Sequence, residues 1–434
     1  MIRRVLGFAT GPTARAVVAR GISILTSFLL TIIVARLLGA EAAGSYFIAF
    51  TSIAVIATFG RFGADNLALK ICGGDSQRVR ADLTYSALVA VTASAVGIAV
   101  TLVVAALSKF SLPGLDSSWL PVVAATAIPQ AFAVIAGAVL RVQGRLALGI
   151  VAELGSIPGL SILFLLLAEA LGFLDLAVAL LTLAAASWIT ALWAVPAAIS
   201  SVRAIPRQPS TELTGAFVRF LRCRIPQMSS MMGTSLLFYV LSWAPLYALS
   251  FMSTLANVSY YTAAARLANL ISLVPSLQVS YLAPVFAQLF WKKDLAALNA
   301  LCAHATRQVG AWALLPTAAL SLGALPITVV LYGRDFQGAA APLAILTVGA
   351  FAVALLGQVN QLMLLCDLEA LALILSAALL VFWVSAGAWM ALQFGAVGVA
   401  WFGAAANAVY ALAAARLLRT RSGIRSHFTF SRLA

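Results

Sequence analysis

Two stretches of this chain, Ile225 to Ala265 and Ala370 to Ala415, run without a single Asp, Glu, Lys or Arg. A helix crossing the hydrocarbon core of a bilayer needs roughly 20 apolar residues, and each stretch is about twice that long. Each must therefore cross, turn and cross back. The second has its turn at Gln393-Phe394-Gly395, where a polar residue and a glycine interrupt the apolar pattern. Shorter charge-free runs, Leu83 to Ser108, Leu176 to Val202 and Gln308 to Gly333, each suit one crossing. Only 9% of the 434 residues are charged and 63% are hydrophobic, whereas soluble domains carry about 25% charged residues. The solvent for such a chain is lipid, and the fold class is all-α integral membrane.

Reading the runs between charges predicts about twelve transmembrane helices, near 16–38, 44–70, 81–107, 119–141, 146–170, 173–200, 224–250, 257–287, 303–331, 340–365, 369–392 and 395–418. The basic residues then orient them. Of the 27 Lys and Arg, only Arg36, Lys109 and Arg334 fall on one side, and Arg61 and Arg266 fall inside spans. The rest share a side with both termini, which the positive-inside bias makes cytoplasmic. The same bias accounts for the net charge of +14 without invoking nucleic acid. It sets the basic surface segments against anionic lipid. The first apolar stretch is interrupted by Pro12, Arg15 and Arg20 and reads as a span rather than a removable signal peptide.

The two halves read as relatives. Gly44-Ser45-Tyr46 opens helix two, and Val258-Ser259-Tyr260-Tyr261 opens helix eight. Arg141 to Leu146 turns helix four into five as Leu365 to Ala370 turns ten into eleven. Six helices per half preserve direction, so the repeat is parallel, about an axis along the membrane normal. The expected division is a six-helix lobe and its cytoplasmic link in residues 1–210, and a second lobe with a basic cytoplasmic tail in 211–434.

Catalytic patterns are missing. The two histidines and four cysteines show no metal-ligand spacing. The longest external connection, about Ser108 to Ser118, has Asp116 as its only acid, and no DxD or serine–histidine arrangement occurs. An integral-membrane polymerase, ligase or glycosyltransferase would need such groups, so the chain is not expected to be an enzyme.

Several short strings, in order along the chain, resemble one family. Val34-Ala35-Arg36-Leu37-Leu38-Gly39-Ala40-Glu41-Ala42-Ala43-Gly44 resembles the first hairpin of polysaccharide-exporter flippases of the multidrug/oligosaccharidyl-lipid/polysaccharide (MOP) superfamily. Phe62-Gly63-Ala64-Asp65-Asn66 is similar to their second-helix pattern, and Tyr260 to Leu267 to the start of their eighth. Pro284 with Trp291 to Leu295, Leu331 to Phe336 with Ala341-Pro342-Leu343, and Gly395 to Ala400 extend the resemblance. It implies two pseudo-symmetric lobes around a central cavity. It also implies alternating-access export of an undecaprenyl-diphosphate-linked oligosaccharide, with a polysaccharide polymerase and export machinery as partners. No cofactor is implied, and coupling is left open between proton and sodium. One departure stands out: where relatives often carry an acid late in helix seven, this chain has Ser242-Trp243-Ala244-Pro245.

Charges inside a membrane are costly and face a cavity or a partner. Arg266, in a run otherwise free of charge, is the first candidate for gripping a diphosphate through paired hydrogen bonds. The alternative is a guanidinium that snorkels or bonds backbone carbonyls. Arg61 is the second candidate, with Asp65 four residues on and on the same helical face. This is either a self-neutralised structural pair or a grip and its release. Glu153 is a coupling candidate or an interfacial carboxylate near Arg145. Gln358, Asn360 and Gln361 could contact sugar hydroxyls or tie helices together. Replacing Arg266 or Arg61 by alanine is expected to stop transport and spare stability. A drug or cation exporter of the same superfamily is the alternative function, and it would want intramembrane acids where this chain has arginines.

Overall fold

The computed structural model describes residues 12–72, 79–108, 117–204, 213–273, 275, 278, 282, 286, 289–290, 292–357, 359, 362–363 and 368–424. Among these residues all regular structure is helical. The first helix, α1 (Pro12–Arg61), would be about 75 Å long if straight, but Gly39 leaves helical geometry at φ 74, ψ 178 and divides it. The loop expected between residues 38 and 44 is thus a single glycine break. Phe62 and Gly63 separate α1 from α2 (Ala64–Cys72). Then follow α3 (Val79–Ser108), α4 (Leu120–Val142), α5 (Leu146–Ala170), α6 (Leu176–Arg203) and α7 (Leu213–Met252). Helix α7 runs unbroken through Pro226 and Pro245. The remainder comprises α8 (Leu255–Ala268), α9 (Leu295–Leu322), α10 (Ala324–Tyr332), α11 (Ala340–Leu355), α12 (Glu369–Phe382) and α13 (Ala388–Ser422). Gly395 breaks α13 at φ 55, ψ −139, where the sequence predicts the turn.

Among the described residues eight helices are long and apolar enough to cross a membrane, or nine when α9 and α10, bent by 77°, count as one span. Two of the eight are the glycine-broken stretches Val18–Arg61 and Leu371–Ser422. Large apolar side chains project outward along the spans, among them Leu192, Trp312, Leu315, Leu322 and Val384. Exposure on that scale is stable only against acyl chains. The chain is a multi-pass membrane protein.

By internal packing the chain forms two compact units. One comprises Met1–Leu38 and Ser45–Val240, the other Gly39–Gly44 and Leu241–Ala434. The boundary falls within α7, later than the sequence-based division at 210. In the first unit α4 is the central helix, with 67% of its apolar window buried, and it packs on α2, α3, α5 and α6. Small residues let backbones approach there. A Cβ on Gly137 would come within 2.7 Å of the Gly149 carbonyl oxygen, and one on Gly149 within 2.5 Å of the Gly137 oxygen. In the second unit α11 packs against α8, α9 and α13. The segment Gly39–Gly44 belongs to that unit: Ser259 Oγ donates to the Ala40 carbonyl at 2.6 Å, and a Cβ on Gly44 would collide with the Leu255 carbonyl.

Many buried hydroxyls bond to carbonyls of their own helix, which answers them without water. Thr51 donates to Phe47, Thr262 to Val258 and Thr347 to Leu343. Helix starts at the connections carry side-chain caps: Asp175 accepts from the Val178 N–H at 2.7 Å and Asp294 from Ala297 at 3.0 Å. At the other end of the chain α13 stops at Gly423 in left-handed geometry, with Arg419 and Arg421 in the last turn, where cations suit the helix dipole.

Candidate functional site

In the first unit the backbone leaves α1 at Phe62, φ 46, and Gly63, φ 73. A non-glycine residue in that region costs about 1–3 kcal/mol and persists only where its surroundings hold it. Here α7 does so, since a Cβ on Gly63 would meet the Met228 carbonyl oxygen at 2.5 Å and Met231 Cβ at 3.1 Å. Arg61 and Asp65 lie on either side of this break, not on one continuous helix as their spacing predicts. They still pair, with Arg61 Nη1 donating to Asp65 Oδ2 at 2.9 Å. Arg61 Nη2 donates to Thr58 Oγ1 at 2.7 Å, and the guanidinium lies 5.6 Å from the centre of the Tyr239 ring. Arg61 is only 7% exposed. Its Nε has no partner in the structure.

That geometry corrects the expectation that Arg61 can be removed at no cost to stability. Deleting one member of a buried pair strands the other charge.

Glu153 sits in a π turn, Val151–Gly155, inside α5. Its partner is Arg141 of α4, with Nη2 donating to Oε2 at 2.8 Å. The close approach of Gly137 and Gly149 lets the two side chains meet. Glu153 also interacts electrostatically with Arg61, Asp65 and Arg20. Three of the residues singled out from the sequence, Arg61, Asp65 and Glu153, therefore belong to one charged cluster. The fourth, Arg266, does not.

Beside Asn66 the first unit holds a recess of about 750 Å³ lined by Asn66, Ser230, Met231, Thr234, Ser235, Phe238 and Tyr239. Asn66 Nδ2 donates to Ser235 Oγ at 3.1 Å. Sequence reasoning passed over this wall. Its signal was the polar stretch Gln227-Met228-Ser229-Ser230 and Gly233-Thr234-Ser235, set in a run with no charge to draw attention to it.

In the second unit Arg266, half-buried near the end of α8, lies 5.7 Å from the centre of the Trp243 ring. Tyr332 is the other polar neighbour, interacting electrostatically with the guanidinium while its own hydroxyl donates to the Ala263 carbonyl at 3.3 Å. Among the described residues no carboxylate pairs with Arg266. Gln358, Asn360 and Gln361 lie outside the described residues.

No family model matches the sequence, and neither does any curated protein. Solved structures do match. A structure titled lipid II flippase MurJ, inward closed conformation, superposes with a TM-score of 0.70 at 14% identity, over 93% of this chain and 87% of that one. A multidrug resistance MATE family transporter in an outward-facing conformation matches at 0.59, with 18% identity and 95% of both chains covered. A MOP superfamily transporter from Pyrococcus furiosus, titled for the reverse polarity of its binding pocket, matches at 0.57, with 16% identity and 95% of both chains. All three are transporters. The chain has the fold of MOP superfamily transporters.

Proposed function

We propose that the chain is a flippase for an anionic lipid-linked sugar, an undecaprenyl-diphosphate-linked oligosaccharide moved from the cytoplasmic to the periplasmic leaflet of a bacterial inner membrane. Twelve spans in two six-helix lobes, with both termini cytoplasmic, would present the headgroup alternately to either side while the polyprenyl tail stays in lipid. The observation that carries this reading is Arg266, a half-buried cation near the end of α8 with an aromatic ring against it and, among the described residues, no carboxylate paired with it. A charge so placed is expensive until an anion arrives, and a guanidinium meets a diphosphate through two parallel hydrogen bonds.

Arg61 contributes once Asp65 releases it. In the paired state its charge is already answered, so Asp65 works as a gate on that grip. Asp65 and Glu153 are the groups on which a coupling proton or sodium ion would act. A polymerase and export machinery would take the delivered product.

Export of an organic cation, the alternative reading, asks for unpaired carboxylates. Asp65 and Glu153 each have an arginine partner within 3 Å. The test is reconstitution in vesicles with undecaprenyl-diphosphate-linked oligosaccharide, following how much of the sugar a membrane-impermeant reagent reaches. Time-dependent exchange between leaflets is expected. No exchange above that of empty vesicles would sink the proposal.

A further inference from the structure

The recess beside α2 and α7 has hydrogen-bonding capacity that nothing among the described residues uses. Asn66 makes one bond, to Ser235, leaving its carbonyl oxygen and a second N–H. Ser235 accepts that bond and keeps its own hydrogen. Thr234 donates to the Ser230 backbone at 3.0 Å. The Ser230 and Tyr239 hydroxyls have no partner among the described residues. At bilayer depth, polar groups left open cost several kcal/mol each unless water or a ligand meets them.

The neighbouring faces make the contrast plain. Outward-facing positions on α5 and α6 carry Leu163, Leu166, Leu181 and Leu192, as lipid demands. The outward positions of α7 at Ser230, Gly233 and Thr234 carry hydroxyls and a glycine. That face does not belong against acyl chains.

The lining also says what would fit. No cation is among the lining residues, and Arg61, over the Tyr239 ring, is already bonded to Asp65, so a phosphate gains little there. No carboxylate lines it, so an organic cation gains nothing either. What it offers is an amide, three hydroxyls and a phenol, with the ring faces of Phe238 and Tyr239 beside them. Its volume of about 750 Å³ lies within the ~300–1,000 Å³ of small-molecule sites. We infer that this wall of α2 and α7 binds the uncharged sugar residues of the cargo, its hydroxyls and amide bonding sugar hydroxyls and its rings packing against their C–H faces. The inference rests on the flippase reading and assigns the saccharide to Asn66, Ser230, Thr234, Ser235 and Tyr239, while the phosphates fall to Arg266.

Two lipids separate these roles in reconstituted vesicles: undecaprenyl diphosphate bearing one sugar, and the same lipid bearing a longer neutral oligosaccharide. The double variant Ser230→Ala/Thr234→Val alters exposed positions with little change of shape. It should slow exchange of the oligosaccharide lipid about tenfold, the ~1.4 kcal/mol of one or two neutral hydrogen bonds. Exchange of the single-sugar lipid should hardly change. Asn66→Ala, read in the same assay, should show the same selectivity. Arg266→Ala should slow both lipids alike. Equal slowing of both lipids by the α7 variant, or no slowing of either, would overturn the sugar assignment and leave the flippase reading standing. If the unmodified chain moves neither lipid, the flippase reading has failed and the sugar assignment fails with it.

Discussion

Arg266 lies over the ring of Trp243, at 5.7 Å from its centre, and no carboxylate among the described residues pairs with it. An aromatic face attracts a cation by about 0.5–2 kcal/mol, enough to orient the guanidinium and too little to extinguish its charge. The site is thereby left hungry for an anion. Arg61 is the counter-example, held over Tyr239 at 5.6 Å with Asp65 already bonded to it.

Arg266→Ala should reduce exchange of a diphosphate-linked lipid about tenfold to a hundredfold, since charge-assisted hydrogen bonds contribute ~1.5–3 kcal/mol. Arg266→Lys should recover only part, because an ammonium is a point charge and cannot offer the paired fork. Thermal melting in detergent should not fall in Arg266→Ala, for no folded partner loses its bond. A clear drop in melting temperature would mean the arginine is structural.

Arg61→Ala should behave differently. It strands the Asp65 carboxylate at 15% side-chain exposure and should cost about 3–5 kcal/mol of stability. Asp65→Ala should cost a similar amount by stranding Arg61. Replacing both residues with apolar ones of similar volume, Arg61→Met with Asp65→Leu, should return most of the loss. A thermal-melt double-mutant cycle measures the coupling, and additive single losses would contradict a buried pair.

Trp243→Glu puts a carboxylate back beside Arg266. Lipid exchange should fall as far as in Arg266→Ala, because the cation is then answered from within, while the melting temperature holds or rises. Trp243→Phe keeps a ring face and should retain most of the activity. Full activity in Trp243→Glu would show that the free charge of Arg266 is not what captures the cargo.

Gly63→Ala should destabilise by more than the ~1–2 kcal/mol of left-handed backbone alone, because its methyl group meets the Met228 carbonyl oxygen at 2.5 Å. Gly21→Ala, where an added Cβ meets nothing within 4 Å, should instead stabilise by ~0.5–1 kcal/mol as helix glycines do. Melting temperatures that moved in the same direction would refute the account of the Phe62-Gly63 break.

The fold was legible in the sequence because a bilayer sorts residues coarsely. Charge-free runs mark spans, and the Gly395 turn could be placed from one interruption. The site was legible only in part. Isolated charges in apolar surroundings, Arg61 and Arg266, draw the eye, and their neighbours do not. That Glu153 meets Arg141 and not Arg145 depends on a π turn and on two glycines in van der Waals approach, neither of which has a sequence period. The hydroxyl wall of α7 escaped notice because serine and threonine are ordinary in membrane helices. Only their outward position against a hollow distinguishes them. Helix α7 also continues without a break past Pro226 and Pro245, where a proline removes a backbone hydrogen bond.

The wide turn at Val151–Gly155 has one more implication. It lodges an extra residue in α5 between Gly149, which abuts α4, and the rest of the span. Losing one residue from a surface loop is often harmless. Losing one here would rotate everything beyond it by about 100°, so Glu153 could not keep Arg141 while Gly149 kept Gly137. Insertions and deletions, rather than substitutions, are the changes this helix is built to refuse.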